Sequence, residues 1–320
     1  MIDILADKVL NGGLLTNEEA FQVAGVQRKN LFNLFSFANK IREKFRTDSV
    51  DLCAIVNAKS GACPEDCSYC AQSSKSKAGI EVYPLIRKEV VLEKAKEAKE
   101  AGVKRFCIVT SGRRIGKAEL FEIVTMVKKI RRIGLLPCAT LGLLSKGELL
   151  FLKESGLERY HHNLETSERF FPAICRTHTY NDKLKTIEAA KSAGLSVCSG
   201  GIFGLGETWE DRIDMAFALK ELDVNSIPVN FLIPVKGTSL GDMDMLYPFE
   251  ALKIISLYRF LLPGKEIRIC GGRMQVLGEF NSMVFIAGAD SLLTGNYLTT
   301  TGRTFKDDLR LIKDYGLRLA

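Results

Sequence analysis

The 320-residue chain has little of what marks an exported or membrane-bound protein. Its first residues, Met-Ile-Asp-Ile-Leu-Ala-Asp, carry acids where a signal peptide carries Lys or Arg, and no apolar run reaches the length of a membrane span. Its nine cysteines are odd in number and spread over a long chain, which is not the pattern of a secreted disulfide scaffold. No linker rich in Pro, Gly or Ser divides the sequence. The dinucleotide fingerprint G-x-G-x-x-G is missing too, since the one glycine-dense turn reads Gly200-Gly201-Ile-Phe-Gly204-Leu-Gly206, so a Rossmann site is disfavoured. The densest basic group, Lys128, Lys129, Arg131 and Arg132, has no interleaved aromatics and ends a helical stretch, which suits a helix dipole better than a nucleic acid. These absences predict a soluble protein of a reducing compartment, cytoplasmic, with no membrane and no nucleic-acid partner.

What is present is a compact trio of thiols. Gly61 to Gln72 reads Gly-Ala-Cys-Pro-Glu-Asp-Cys-Ser-Tyr-Cys-Ala-Gln, with Cys63, Cys67 and Cys70 separated by three and two residues. Structural zinc takes four ligands, and no further Cys or His follows within thirty residues. A three-thiolate set instead suits an iron-sulfur cubane with one iron left open to a non-protein ligand.

Residues 1 to about 47 read as helical, with Thr16 and Glu19 at capping-box spacing. From about residue 50 a short apolar run, a loop and an amphipathic helix repeat. The strand candidates are Val50–Val56, Lys104–Val109, Leu136–Leu141, Arg159–Leu164, Ser196–Ile202, Ile227–Leu232, Glu266–Ile269 and Met283–Ala287, and Gly102, Gly134, Gly156 and Gly194 mark helix ends. Eight such units close most naturally into a (β/α)8 TIM-type barrel with an N-terminal helical extension, a doubly wound open sheet being the alternative. The division expected is a single domain over 1–320, with helices over 1–47 and the barrel over 48–320. In a barrel the loop after the first strand lies at the catalytic end, and that loop carries the cysteine trio.

Cys107, Cys138 and Cys198 fall in the second, third and fifth runs, where strand alternation can turn each inward, as core or as a second ligand set. Arg268 and Cys270 are two apart in the seventh and share a face. An arginine inside a barrel needs an anion or acceptor. The fourth run, Arg-Tyr-His-His-Asn-Leu-Glu-Thr-Ser, is polar, with His161, Asn163 and Glu165 on one face. Asn230 and Lys236 are the polar candidates of the sixth, Asn230 the better placed.

These strings together resemble a known family. Cys63-x3-Cys67-x2-Cys70 with Tyr69 is similar to the signature of radical S-adenosylmethionine enzymes. The longer string from Ala58 to Gln72, followed by Tyr-His-His-Asn-Leu-Glu-Thr-Ser, Val-Cys-Ser-Gly-Gly-Ile-Phe-Gly-Leu-Gly-Glu-Thr and Pro-Val-Asn-Phe-Leu-Ile-Pro-Val-Lys-Gly-Thr, resembles the biotin synthase family from about residue 50 onward. The resemblance implies a homodimer with a 4Fe-4S cluster on Cys63, Cys67 and Cys70 that binds S-adenosyl-L-methionine at its open iron. It implies that a reduced flavodoxin or ferredoxin supplies the electron, that a 5'-deoxyadenosyl radical takes hydrogen from dethiobiotin, and that sulfide from an auxiliary cluster closes the ring of biotin. By position, Cys107, Cys138, Cys198 and Arg268 match the ligands of an auxiliary 2Fe-2S cluster. Asn163 and Asn230 match substrate contacts, while Tyr69, Glu165, Gly204 and Gly206 match cofactor contacts.

Three departures stand out. His161 replaces an Asn near the substrate, His178 stands where an Arg is common near the cofactor carboxylate, and Cys270 takes a position that is commonly Ser. A thiolate at Cys270 could replace or supplement Arg268 and hold a larger auxiliary cluster. Cys53 and Cys175 match nothing and are expected to be structural. The rival expectations are another enzyme of the superfamily, of the hydrogenase-maturation or methylornithine type, and a non-catalytic metal-binding or electron-transfer protein.

Overall fold

The structure, a computed structural model, describes residues 1–297 and 302–320. Three helices open the chain: α1 (Ile2–Leu10), α2 (Asn17–Ala24) and α3 (Leu31–Phe45). The Thr16–Glu19 capping box forms as its spacing predicts, Thr16 Oγ1 accepting from Glu19 N and Glu19 from Thr16 N. The rest of the chain alternates between strand and helix: β1 (Ser49–Lys59), α4 (Lys88–Glu100), β2 (Arg105–Thr110), α5 (Lys117–Arg132), β3 (Leu136–Thr140), α6 (Lys146–Glu154) and β4 (Arg159–His161). It continues through α7 (Phe171–Ile174), α8 (Tyr180–Ser192), β5 (Ser196–Cys198), β6 (Gly201–Phe203), α9 (Trp209–Glu221), β7 (Ser226–Phe231), α10 (Pro248–Leu261) and β8 (Glu266–Ile269). It closes with α11 (Arg273–Leu277), β9 (Ser291–Leu293), α12 (Phe305–Asp314) and β10 (Arg318–Leu319).

All the strand pairs are parallel, in the order β1-β2-β3-β4-β5-β7-β8-β9, and β9 pairs back onto β1. That return closes an eight-staved barrel in which β5 and β6 form one interrupted stave, so the open-sheet alternative is excluded. β10 adds beside the start of β1, outside the closed ring. The helices that cover it end where Gly102, Gly134, Gly156 and Gly194 take positive φ, as expected of left-handed caps.

Three strand expectations need correction. Met283–Ala287 is not a strand: Met283 and Val284 lie in the 3-10 segment Gly278–Val284, Ala287 N bonds Met283 O, and the eighth stave is Ser291–Leu293. A short, wholly buried apolar run carries no period that separates strand from helical turn. The fourth stave pairs only to His161, because Glu165 turns at φ +74°, although His162 N still reaches Cys198 O and Glu165 N reaches Gly200 O. The fifth breaks at Ser199–Gly200, where a side chain on Gly200 would stand 2.1 Å from Pro228 O; only glycine admits that approach.

Alternation sorts the staves into two environments. Phe106, Ile108, Ala139, Tyr160, Val197, Ile227, Ile267 and Ile269 face the helices in one continuous apolar core. Their neighbours Cys107, Cys138, Arg159, His161, Cys198 and Arg268 face a central cavity of about 370 Å³. The N-terminal helices pack on the barrel's outside, with Phe35 of α3 stacked on Phe249 of α10. No helix among the described residues is long and apolar enough to cross a membrane.

Candidate active site and metal centres

The cysteine loop leaves the C-terminal end of β1 and is fixed largely by backbone hydrogen bonds. Ser60 and Tyr83 exchange both of theirs, Cys63 N donates to Gln72 O, Ser74 N to Cys63 O, and Cys70 N to Cys67 O. Glu65 and Asp66, between the first two cysteines, reach across to the turn after α7. Asp66 Oδ1 accepts from Arg176 N at 3.0 Å, Thr177 N at 3.1 Å and Thr177 Oγ1 at 2.9 Å, and Glu65 Oε2 accepts from Thr177 Oγ1 and His178 Nδ1. Burial alone would raise the Asp66 carboxyl; those donors hold it well below the usual range instead. Cys63, Cys67 and Cys70 are half-buried free thiols at the catalytic rim, and Cys70 and Tyr69 border the cavity. Three soft donors on a braced loop, beside a cavity, fit an iron-sulfur cluster with an open position.

Cys175, expected to be structural, lies among side chains that could share a ligand. Its Sγ lies 3.8 Å from Cys67 Sγ, 3.2 Å from His178 Nδ1 and 3.4 Å from Asp66 Oδ1. The hydrogen bond with Cys67 pulls Cys175 down to about 4, against the effect of burial, and the same contact pushes Cys67 up. The Cys-x-x-His spacing of Cys175 and His178 is the signal that could have revealed this.

Deeper in the barrel, Cys107, Cys138 and Cys198 turn inward as their alternation predicts, and Cys270 joins them. So does Cys53, expected to be structural: in β1 it packs with Cys107, Cys138 and Cys270. Its signal was positional, two residues before Ile55 on the same inward face of β1. Burial raises all five thiols, so as free groups they carry protons. Below them runs a chain of buried charge. Arg105 Nε donates to Asp51 Oδ2 at 2.9 Å, Arg268 Nη2 to Asp51 Oδ1 at 2.7 Å and also to Glu266, and Arg159 Nη1 to Glu266 Oε1 at 3.1 Å. Arg268 thus has protein anions as partners. Burial would lower its pKa, but Glu266 and Asp51 raise it well above the normal value. Five clustered thiols over three guanidinium groups and two carboxylates make an electropositive cup suited to an anionic thiolate-ligated cluster.

Between rim and floor stands a polar wall. His161 Nε2 faces Asn163 Oδ1 at 2.9 Å, an atom that can only accept, so His161 carries its proton on Nε2 and Nδ1 accepts from Thr140 Oγ1 at 2.8 Å. Burial holds His161 down at about 4. Asn163 Oδ1 also accepts from Gly200 N and its Nδ2 donates to Glu165 Oε2 at 3.2 Å, while Lys183 lies 4.0 Å from Glu165. Burial raises the Glu165 carboxyl, with Lys183 opposing it. Asn230 borders the same cavity, where its Nδ2 donates to Gly201 O and its Oδ1 accepts from Gly271 N. Lys236, Gly204, Gly206 and His178 are not among the cavity's lining residues, and Gly204 N is occupied by the Glu207 carboxylate.

Residues 58–219 match the radical SAM superfamily, and residues 228–318 match the Biotin and Thiamin Synthesis associated domain. The biotin synthase of Thermodesulfovibrio yellowstonii is 55% identical over 290 residues, covering 91% of this chain and 92% of its own. That of Heliobacterium modesticaldum is 46% identical, covering 96% and 95%. Among solved structures, methylornithine synthase superposes at TM-score 0.85 with 23% identity, over 99% of this chain and 97% of its own. The hydrogenase maturase HydG of Carboxydothermus hydrogenoformans gives 0.83 with 19% identity, over 99% and 78%. The two expected rivals thus share the barrel but little sequence, whereas the biotin synthases share about half of every residue along nearly the whole length. By that shared sequence, and by the cysteine loop that heads it, the chain belongs to the biotin synthase family of the radical SAM superfamily.

Proposed function

We propose that the chain converts dethiobiotin to biotin by radical-mediated sulfur insertion. The observation that carries this reading is a single cavity bordered by Cys70 of the rim trio and by all five deep thiols, with hydrogen-bonding side chains between them. When bound, a 4Fe-4S cluster on Cys63, Cys67 and Cys70 with S-adenosyl-L-methionine would supply a carbon-centred radical, and an auxiliary cluster the sulfur.

The protein's part is to bind, orient and exclude water. Asn163, just past the fourth stave, and Asn230, in the sixth, each keep an amide group at the cavity edge and suit a planar ureido ring that both donates and accepts. His161, neutral, fixes Asn163 without adding charge. Tyr69 and Glu165 suit the cofactor's ribose and adenine side, Glu165 being held by Asn163 and Lys183. Gly204 would contact the cofactor only through its carbonyl or Cα, since Glu207 takes Gly204 N, and Gly206 is the second glycine of that turn. His178, its Nδ1 held by Glu65, has Nε2 to offer the cofactor's carboxylate.

For the auxiliary cluster, Cys107, Cys138 and Cys198 are the proposed ligands, and Cys270 completes them in preference to Arg268. Either ligand must lose a proton to bind iron, but a guanidinium committed to Asp51 and Glu266 gives one up far less readily than a thiol, and Cys270 is a free thiol at the same cup. Cys53 offers a further donor, so a cluster larger than 2Fe-2S suits this floor. A flavodoxin or ferredoxin donor, a homodimer, a cytoplasmic location and a single domain over 1–320 complete the proposal.

The test is an anaerobic assay with dethiobiotin, S-adenosyl-L-methionine and reductant. Biotin is the expected product; 5'-deoxyadenosine without biotin would leave the superfamily chemistry and defeat the substrate assignment. Iron and sulfide in excess of one cubane per chain are expected, and a Cys270→Ser chain with unchanged auxiliary content and spectrum would remove Cys270 as a ligand.

A further inference from the structure

We propose that Cys67, Cys175 and His178 form a mononuclear site for a thiophilic divalent cation, Zn²⁺ or Fe²⁺, which is filled when the rim loop carries no cluster. The inference rests on the cluster assignment above only in saying what it excludes. Among the described residues, one ligating atom from each of these three side chains lies within 4.8 Å of the other two. Two thiolates at the Zn–S bond length of about 2.3 Å in a tetrahedron stand about 3.8 Å apart, and Cys67 Sγ and Cys175 Sγ are 3.8 Å apart. A thiolate and an imidazole nitrogen on such an ion stand about 3.5 Å apart, and His178 Nε2 lies 3.8 Å from Cys175 Sγ.

The surroundings of His178 decide which nitrogen binds. Nδ1 faces the Glu65 carboxylate, which is the outer partner that fixes a ligating imidazole, leaving Nε2 for the cation. Asp66 Oδ1, 3.4 Å from Cys175 Sγ, or water completes four-coordination. Soft thiolates with imidazole select zinc or iron over calcium and magnesium.

Cys67 cannot serve this ion and a three-cysteine cubane at once. A single cation and the cluster are therefore mutually exclusive occupants of the rim. Cys63 and Cys70 play no part in the mononuclear site, which separates it from a cation bound by the loop alone.

The test uses the full chain, freed of clusters by chelation and kept reduced under anaerobic conditions, titrated with Co²⁺. Any cobalt taken up by the deep thiols is common to all variants and cancels in difference spectra. The wild type minus Cys175→Ser difference should show thiolate-to-cobalt charge transfer with tetrahedral d–d bands, and Cys63→Ser should retain that signature. His178→Ala keeps both thiols and should weaken binding by more than the about 10- to 100-fold that loss of an outer-shell partner costs. It also carries the test if Cys175→Ser fails to fold. Pre-bound Zn²⁺ should slow growth of the 4Fe-4S absorption in the wild type and not in His178→Ala. A cobalt signal indifferent to Cys175 and His178, or lost with Cys63→Ser, would overturn the site, as would equal slowing by Zn²⁺ in both proteins. If no 4Fe-4S absorption grows even without zinc, the cluster assignment fails while the cobalt result still stands or falls alone.

Discussion

The rim and the floor of this barrel hold sulfur in opposite ways. At the rim three thiols come from one loop of eight residues, half-buried and braced by backbone hydrogen bonds and by Glu65 and Asp66. On the floor five thiols come from as many staves or stave ends, fully buried above a chain of ion pairs. A loop places its ligands by local spacing, whereas the floor depends on the register of the whole barrel. Damage at the rim should therefore be chemical, and damage on the floor both chemical and structural.

The sharpest break of that contrast is ligand removal. Cys67→Ala should abolish cleavage of S-adenosyl-L-methionine and biotin formation together, while Cys107→Ala should abolish biotin formation and leave deoxyadenosine formation measurable. Chromatography of both products in single-turnover reactions decides it, and loss of both products from Cys107→Ala would erase the division of labour. Next in size, Glu266→Gln leaves Arg159 and Arg268 without their shared anion and should cost about 3–5 kcal/mol, read from the urea midpoint. The exposed rim pair Arg114–Glu148 should be worth only about 0–1 kcal/mol. Equal effects would show that the floor is as well solvated as the rim.

Between the two regions, Asn163→Ala should raise the KM for dethiobiotin by about 10- to 100-fold, the worth of a lost buried hydrogen bond, while both clusters still assemble. A further effect concerns pH. His161 sits near 4 in the fold against about 6.5 unfolded, so between these values the unfolded chain binds the extra proton. Its contribution, about 1–3 kcal/mol, is complete above about pH 6.5, is lost as the pH falls toward 4, and His161→Asn should flatten that slope in unfolding experiments.

The same contrast explains what the sequence made legible. The helix caps, the closing glycines and seven of the eight staves follow from period and punctuation, because those are local. The eighth stave was misplaced because Met283–Ala287 is apolar throughout and has no alternation to read. At the site, Cys63, Cys67 and Cys70 declared themselves by spacing, and Cys107, Cys138 and Cys198 by alternation joined to family likeness. Cys53 and Cys175 did not: each acquires its neighbours only from tertiary closure, Cys53 when β9 returns to β1 and Cys175 when Asp66 captures Thr177. Arg268 meets the anions that its burial requires, Glu266 two residues before it and Asp51, which lies far from it along the chain and meets it only across the closed ring.

The bracing of the rim loop bears on how long the protein remains serviceable. Ser60, Tyr83, Gln72, Ser74 and the Asp66–Thr177 clasp shape the loop through hydrogen bonds of the chain itself, so the places of its three thiols are set by protein contacts. The rim is a socket set by the fold, so its tolerance of wear rests on those few hydrogen bonds.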